Sequence, residues 1–411
     1  MSWPVISFGE IANFRNGLNY SRKNFGSGLK IISVANFGSR LVPDLASLDE
    51  INPEGVAKAE DYLCDGDILF VRSNGNRDLV GRAMLMKGIA DLAVGFSGFC
   101  IRARFTVCNI NPAFYAYLFR APIVRHQMTA GGVGANIANV SQKTLARLEV
   151  PFPPKDEQDA IVVVLSMYDE LIATNQRRIL LLEEAARSLY RQWFVCLRFP
   201  GHESMSIKDG VPKGWVKAPI IEHVSFLNRG ITPKYDDTAS GIVINQKCIR
   251  DGRISMAPAR RQSKNVKPER LIQVGDILIN STGAGTLGRV AQVRTPIKNC
   301  TVDTHVTIVR PLDEDSSSYL GQALLELAPV LSTMGKGSTN QLELSRVDIG
   351  AIEIWQPPKY LLSEFHRLVI PMLEQIANLS FANLSLAKHR DLLLPRLMSG
   401  QLDVSGISLP D

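Results

Sequence analysis

The densest run of chemically able side chains is QKCIRDGRISMAPARRQSKNVKPER, residues 246–270, with eight Lys or Arg against two acids. Arginine offers a planar fork of donors that fits a phosphate or the major-groove edge of guanine, and lysine offers a compact point charge. Arg250, Arg253, Arg260 and Arg261 are therefore candidate forks, and Lys247, Lys264 and Lys267 candidate point charges, for a nucleic acid. A second set lies on the turn RSNGNRDLVGR: Arg72, Asn74, Asn76, Arg77 and Arg82. Arg289 recurs where Arg82 stands in an earlier, similar phrase, which suits a phosphate contact and a structural role equally. A solvated loop also carries charge, so the basic run needs support from elsewhere in the chain.

Covalent chemistry finds little footing. GAGTLG at 283–288 has the letters of GxGxxG, but a strand-like RVAQVRT follows where a dinucleotide fold needs a helix. The proline pairs FPPK and QPPK lack the polar and aromatic neighbours of an adenine-methyltransferase motif and read as strand-to-helix breaks. CTVDTH (300–305) brings a thiol, a carboxylate and an imidazole close in sequence, an arrangement more often a satisfied strand than a metal site. No catalytic residue, metal site or resident cofactor is expected. Six scattered cysteines without a CxxC pair suit reduced core thiols and a cytoplasmic location. No secretion signal is visible and no apolar run reaches 18 residues, so no membrane role is expected.

The elements that must position these cations are written twice. FGEIANFRNGL (8–18) answers IEHVSFLNRGI (221–231), with Gly17 over Gly230. GDILF (66–70) answers GDILI (275–279), and LVGRA (79–83) answers TLGRV (286–290). Ser141 falls over Ser345, and Pro153-Pro154 over Pro357-Pro358. Short β-branched runs punctuated by Gly, Asn and Asp, with helical patches between them, make each copy α+β. Both copies carry a Gly-rich turn, GGVGAN and GKGSTN, before the terminal strand.

A long helix should follow each proline pair, the first capped by Asp156. Ile161, Leu165, Tyr168, Ile172, Asn175, Ile179, Leu182, Ala186, Leu189 and Trp193 alternate spacings of four and three. That is a coiled-coil seam rather than a wide amphipathic face. The second copy gives Phe365, Val369, Met372, Ile376, Leu379, Asn383, Leu386, Arg390, Leu393 and Leu397, with Asn383 and Arg390 out of character. Each helix of about 38 residues needs a partner, and its twin is the obvious one. Asn175 would fix register at a cost in stability, or sit at a splayed, solvated position. Pro371 should kink the second helix. The net charge of +6 lies on the globular parts: residues 1–154 carry 16 basic and 12 acidic side chains, and 199–358 carry 19 and 16. Residues 40–61, which correspond to the basic run, are net acidic.

LEEAARSLYRQWFVCLRFPGH (182–202) resembles the central region of type I restriction–modification specificity subunits, and LAKHRDLLLPRLMSGQLDV (386–404) their C-terminal region. GDILINSTGAGTLGRV and VPFPPKDEQDAI are phrases typical of the same family. The resemblance implies two β-rich target-recognition domains, 1–154 and 199–358, held apart by an antiparallel helix pair, 155–198 and 359–405, with pseudo-twofold symmetry. It implies that each domain reads half of a split, asymmetric double-stranded DNA site while the helices set the spacer. It also implies that two modification subunits, which carry S-adenosylmethionine, dock around the helices, and that motor-nuclease subunits join to restrict. The competing reading is an adaptor whose β-rich parts bind peptides or glycans, and it differs in predicting no host DNA methylation that depends on this chain.

Overall fold

The computed structural model describes residues 3–38, 40–130, 139–208, 210–337, 342–404 and 406–407. The Gly-rich turn GGVGAN lies outside them, as does the latter half of GKGSTN. The fold is α+β. The chain forms two compact units, residues 1–174 with 383–411, and residues 175–382. Each unit thus combines a globular part with a stretch of both long helices.

In the first unit a four-stranded antiparallel sheet runs in the order Ala12–Asn16, Cys100–Phe105, Ile68–Val71, Ala83–Leu85. Beside it Phe25–Ile32 pairs antiparallel with Asp49–Ile51 and parallel with Val94–Phe96. The second unit has the same arrangement. Its four strands are Val224–Arg229, Val306–Pro311, Ile277–Asn280 and Val290–Gln292. Its three-stranded sheet pairs Gly241–Ile244 antiparallel with Arg260–Gln262 and parallel with Cys300–Val302. In both units the first and last strands close antiparallel: Val5–Ser7 on Glu149–Pro151, and Val216–Pro219 on Glu353–Gln356.

The repeated phrases mark points where chemistry leaves little choice. A Cβ on Gly17 would sit 2.3 Å from the Ser97 carbonyl oxygen, and one on Gly230 would sit 1.9 Å from that of Val302. Backbone packs against backbone there, so only glycine fits. Asp67 and Asp276, from the paired GD phrases, are each 1% exposed. Arg104 donates to both oxygens of Asp67 from Nε and Nη2 at 2.7 Å each, and Arg310 does so to Asp276 at 2.8 Å each. The backbone N–H of Cys64 and of Gln273 adds a third bond to the respective carboxylate. Ser141 and Ser345 cap matched short helices, accepting from the N–H of Thr144 and of Asp348.

The central helix is Lys155–Tyr190 and the C-terminal helix Lys359–Met398, 36 and 40 residues, roughly 54 and 60 Å at about 1.5 Å per residue. The central helix begins at Lys155, two residues before the Asp156 cap would allow, because the Pro154 carbonyl already accepts from Gln158 N–H at 3.1 Å. It ends in a π-helical turn, Arg191–Val195, which turns both Trp193 and Phe194 into the core although they are sequence neighbours. The C-terminal helix is continuous through Pro371.

Within the first unit Ile161 and Leu165 share a core with Leu394, Leu397 and Met398. Within the second, Ile179, Ala186 and Trp193 share one with Phe365, Val369 and Ile376, with Leu182, Leu189 and Leu379 packed against it. In each unit a stretch of the central helix and a stretch of the C-terminal helix therefore share one core. Ile172, Asn383, Leu386 and Leu393 are half-buried, and Asn175 is 5% exposed, so the solvated alternative for Asn175 fails. The buried face is wider than a strict seam. Leu361, Leu373, Leu394 and Met398 are also buried, because the helix ends pack on the globular parts as well as on each other. Arg390, an interruption in the sequence pattern, forms an ion pair with Asp169 of the central helix, whose other oxygen accepts from Tyr117 at 2.7 Å.

Of the six free cysteines Cys100, Cys248 and Cys300 are buried, whereas Cys64, Cys108 and Cys196 are exposed, so only half are core thiols. Among the described residues no helix is long and apolar enough to cross a membrane, and no group of three His, Cys, Asp or Glu could hold a metal.

Candidate nucleic-acid interface

In the second unit the basic run forms an edge. Strand Arg260–Gln262 has one neighbour in its sheet, Gly241–Ile244. The segment before that neighbour folds alongside it, with a bridge between Tyr235 and Gln262 and hydrogen bonds from Asp236 N–H to Arg261 and from Ser263 N–H to Lys234. Arg260, Arg261 and Lys264 are exposed here. The Arg260 guanidinium lies 3.6 Å from the centre of the Tyr235 ring, a stacking contact that holds it without neutralising it. Arg261 donates to the Ala239 carbonyl at 2.8 Å and Lys264 to that of Thr232 at 3.2 Å. Each cation is aimed by a neutral partner and keeps its charge. Lys234 and Tyr235, adjacent in this edge, escaped the sequence reading because they lie some 25 residues upstream in a stretch of mixed charge.

Arg253 is placed differently. Its Nε and Nη2 reach both oxygens of Glu183 on the central helix at 3.0 and 2.6 Å, and Arg294 adds a contact at 3.0 Å. Arg253 thereby ties the small hairpin Ile249–Ile254 to the helix. Burial alone would raise the Glu183 carboxyl, but the hydrogen bonds and charges of Arg253 and Arg294 outweigh it and hold the group below its ordinary range. A folded-state value below the unfolded one, about 4.3, means stabilisation that is complete above the unfolded value and lost as pH falls through the folded one. Glu183→Gln should cost about 2–3 kcal/mol near neutral pH, below the roughly 3–5 of a fully buried pair because Arg253 is partly solvated. Urea unfolding at neutral pH and at about pH 4 checks this, since the variant should lose less stability than the parent on acidification.

Of the remaining cations in the run, Arg250 is exposed beside Asp251 at 3.5 Å, and Lys247 and Lys267 are exposed. Arg289 folds back on the Gly285 carbonyl at 2.9 Å. The GAGTLG glycines, at φ +104°, +74° and +75°, shape a turn between antiparallel strands, as expected. In CTVDTH, Cys300 is buried and burial pushes its thiol up to about 12, while His305 pairs with the Thr282 hydroxyl.

In the first unit Asn74 and Asn76 accept from the backbone N–H of Asn76 and Asp78, so their side-chain oxygens shape the turn. Arg77 is exposed and Arg72 half-buried. Arg82 donates to the Asp78 carbonyl at 3.2 Å, as Arg289 does to its own carbonyl four residues back. The edge strand equivalent to Arg260–Gln262 is Asp49–Ile51. The same edge is therefore anionic in one unit and cationic in the other. Beneath it the framework is kept.

A similar α+β arrangement thus occurs in each unit, each with a stretch of both long helices. Residues 2–184 match the type I restriction modification DNA specificity domain. The chain is 27% identical to the type I restriction enzyme MjaIX specificity subunit of Methanocaldococcus jannaschii, over 70% of this chain and 68% of that one. It is 22% identical to the HindI specificity subunit of Haemophilus influenzae, over 97% and 99%. Its fold is similar to that of a type I S subunit from M. genitalium, at TM-score 0.59 and 15% identity, covering 97% of this chain and 96% of that chain.

Proposed function

We propose that this subunit reads a split, asymmetric double-stranded DNA sequence, with one globular module per half-site. The observation that carries the reading is the equivalent edge strand, cationic Arg260-Arg261 in one copy and anionic Asp49-Glu50 in the other, on otherwise matched sheets. Duplication keeps the framework, and divergence at an exposed edge lets two copies select different sequences. The long helices act as a coiled-coil strut that sets the spacer, and the pair carries two modification subunits. The methyl donor, S-adenosylmethionine, belongs to those partners, and motor-nuclease subunits complete the assembly where DNA is also cut. This chain catalyses nothing itself and works in the cytoplasm.

The test is a module exchange in cells, read by mapping methylated adenines. Replacing residues 199–358 with the equivalent module of another specificity subunit should change one half-site and leave the other half-site and the spacer unchanged. Simultaneous change of both halves would refute independent readers, and methylation that never depended on the chain would favour the adaptor reading.

A further inference from the structure

A corner built the same way flanks the edge strand of each module. In the second unit Tyr235 and Gly241 both lie opposite Gln262, with residues 236–240 looped out between them. In the first unit Phe25 and Leu29 both lie opposite Ile51, with residues 26–28 looped out. An equivalent backbone bond closes each corner: Ser263 N–H donates to the Lys234 carbonyl at 2.8 Å, and Asn52 N–H to the Asn24 carbonyl at 2.9 Å. Phe25 is therefore the counterpart of Tyr235, Asp49 of Arg260 and Glu50 of Arg261.

Both corners present an aromatic ring to water, Phe25 at 50% exposure and Tyr235 at 45%. One such ring on a surface is ordinary. Its recurrence at the equivalent corner of a copy that has diverged around it points to use. Each ring is also held in place: the Arg260 guanidinium stacks on Tyr235, and the Tyr20 ring meets Phe25 edge-on with centroids 6.2 Å apart.

The cations stand differently at the two corners. In the first unit the edge strand carries Asp49 and Glu50, only Glu50 being answered, by Lys30 at 3.3 Å, and such a strand repels phosphate. Positive charge sits instead on the turn just before the ring, Arg22–Asn24, which the Ser21 N–H fixes by donating to Asn24 Oδ1 at 2.9 Å. Arg22 and Lys23 are exposed on this turn, and neither forms an ion pair among the described residues. The bond from Asn52 to Asn24 ties the turn to the edge strand. An aromatic ring with cations beside it thus occurs at both corners, supplied by the edge strand in one module and by the preceding turn in the other. Free cations suit phosphates, and an apolar ring suits the methyl group of thymine.

We propose that Arg22, Lys23 and Phe25 form the surface through which the first module meets double-stranded DNA, the two cations on the backbone and Phe25 on a thymine methyl. The inference rests on the half-site reading above and gives it contact residues in the module whose edge strand is anionic.

The test maps methylated adenines in cells carrying the full chain with its modification subunits, and titrates duplex onto the purified full chain at several salt concentrations. Phe25→Ala should relax the base requirement at one position of the half-site that survives exchange of residues 199–358. It should also weaken binding to the parent sequence about fivefold, and Phe25→Leu, which keeps an apolar body, should lose less. Arg22→Gln combined with Lys23→Gln should weaken duplex binding about tenfold at low salt and lower the salt slope by about two, with the recognised sequence unchanged. Lys87→Gln, at an exposed position elsewhere in the first unit, is the control. All three positions are exposed, and thermal melting checks that the variants fold like the parent. Variants that match Lys87→Gln in both readouts overturn the proposal. So does lost co-purification with the modification subunits at unchanged duplex affinity, which would make the corner a protein contact. A module exchange that changes one half-site while these variants are silent sinks the corner alone, whereas an exchange that changes both sinks the reading on which it rests.

Discussion

Changing Arg260 and Arg261 together to glutamate is expected to weaken duplex binding by the full chain about 10²–10³-fold at low salt. Each forked contact to a base or phosphate contributes roughly 1–3 kcal/mol, and two are removed and reversed in sign. The slope of log affinity against log salt should also fall by about two, because two fewer counterions are released from the DNA. Both side chains are exposed, and their local bonds are one aromatic stack and one carbonyl contact, so the fold should tolerate the change. Circular dichroism confirms folding, and binding titrations at several salt concentrations supply the affinity and slope. An affinity within threefold of the parent would remove this edge from the DNA interface. Glutamine at the same positions separates lost contacts from added repulsion, since it should give the smaller loss and a similar fall in slope.

Asp276→Ala should destabilise the second unit by about 3–5 kcal/mol, the cost of leaving a half of a buried ion pair without its partner. The Asp276 carboxylate is 1% exposed, holds Arg310 through two bonds and accepts the Gln273 N–H. Removing it strands the guanidinium of Arg310, whose side chain is 15% exposed, in the middle of the sheet. Asp67→Ala should destabilise the first unit through Arg104 by less, about 2–3 kcal/mol, because the Arg104 side chain is 36% exposed. Denaturant unfolding followed by tryptophan fluorescence checks this. With two units a single transition is not assumed, and the Asp276 variant should bring forward the transition reported by Trp193 and Trp215, which lie in the second unit's core. A shift worth less than about 1 kcal/mol would show that water replaces the carboxylate at that position.

The framework was legible because its signals are local. A glycine squeezed between backbones, a serine that caps a helix and a proline pair that ends a strand each act through neighbours, so Gly17, Ser141 and Pro153 announced their second copies plainly. The alternation of four and three in the long helices likewise followed from the helix repeat, and the deepest positions, Ile161, Leu165, Ile179 and Ile376, were readable as such. The extra burial of Leu373 and Leu394 was not, because it depends on which globular part lies beside each helix end. Arg390 looked like a defect in the seam until its partner Asp169, more than two hundred residues away, came into view.

The site was only half legible for the same reason. Composition located the basic run, but similar arginines seven residues apart have different fates: Arg260 rests on Tyr235 and keeps its charge exposed, while Arg253 is clamped to Glu183. Nothing in the run itself distinguishes them. By itself the sequence determined the duplication, the module type, the two long helices and the sign of the charge, since these follow from short-range stereochemistry and from counting. The tertiary structure alone decided which cations pair with which acids. Electrostatic partners are chosen by distance in space, and the chain brings them together only when it folds.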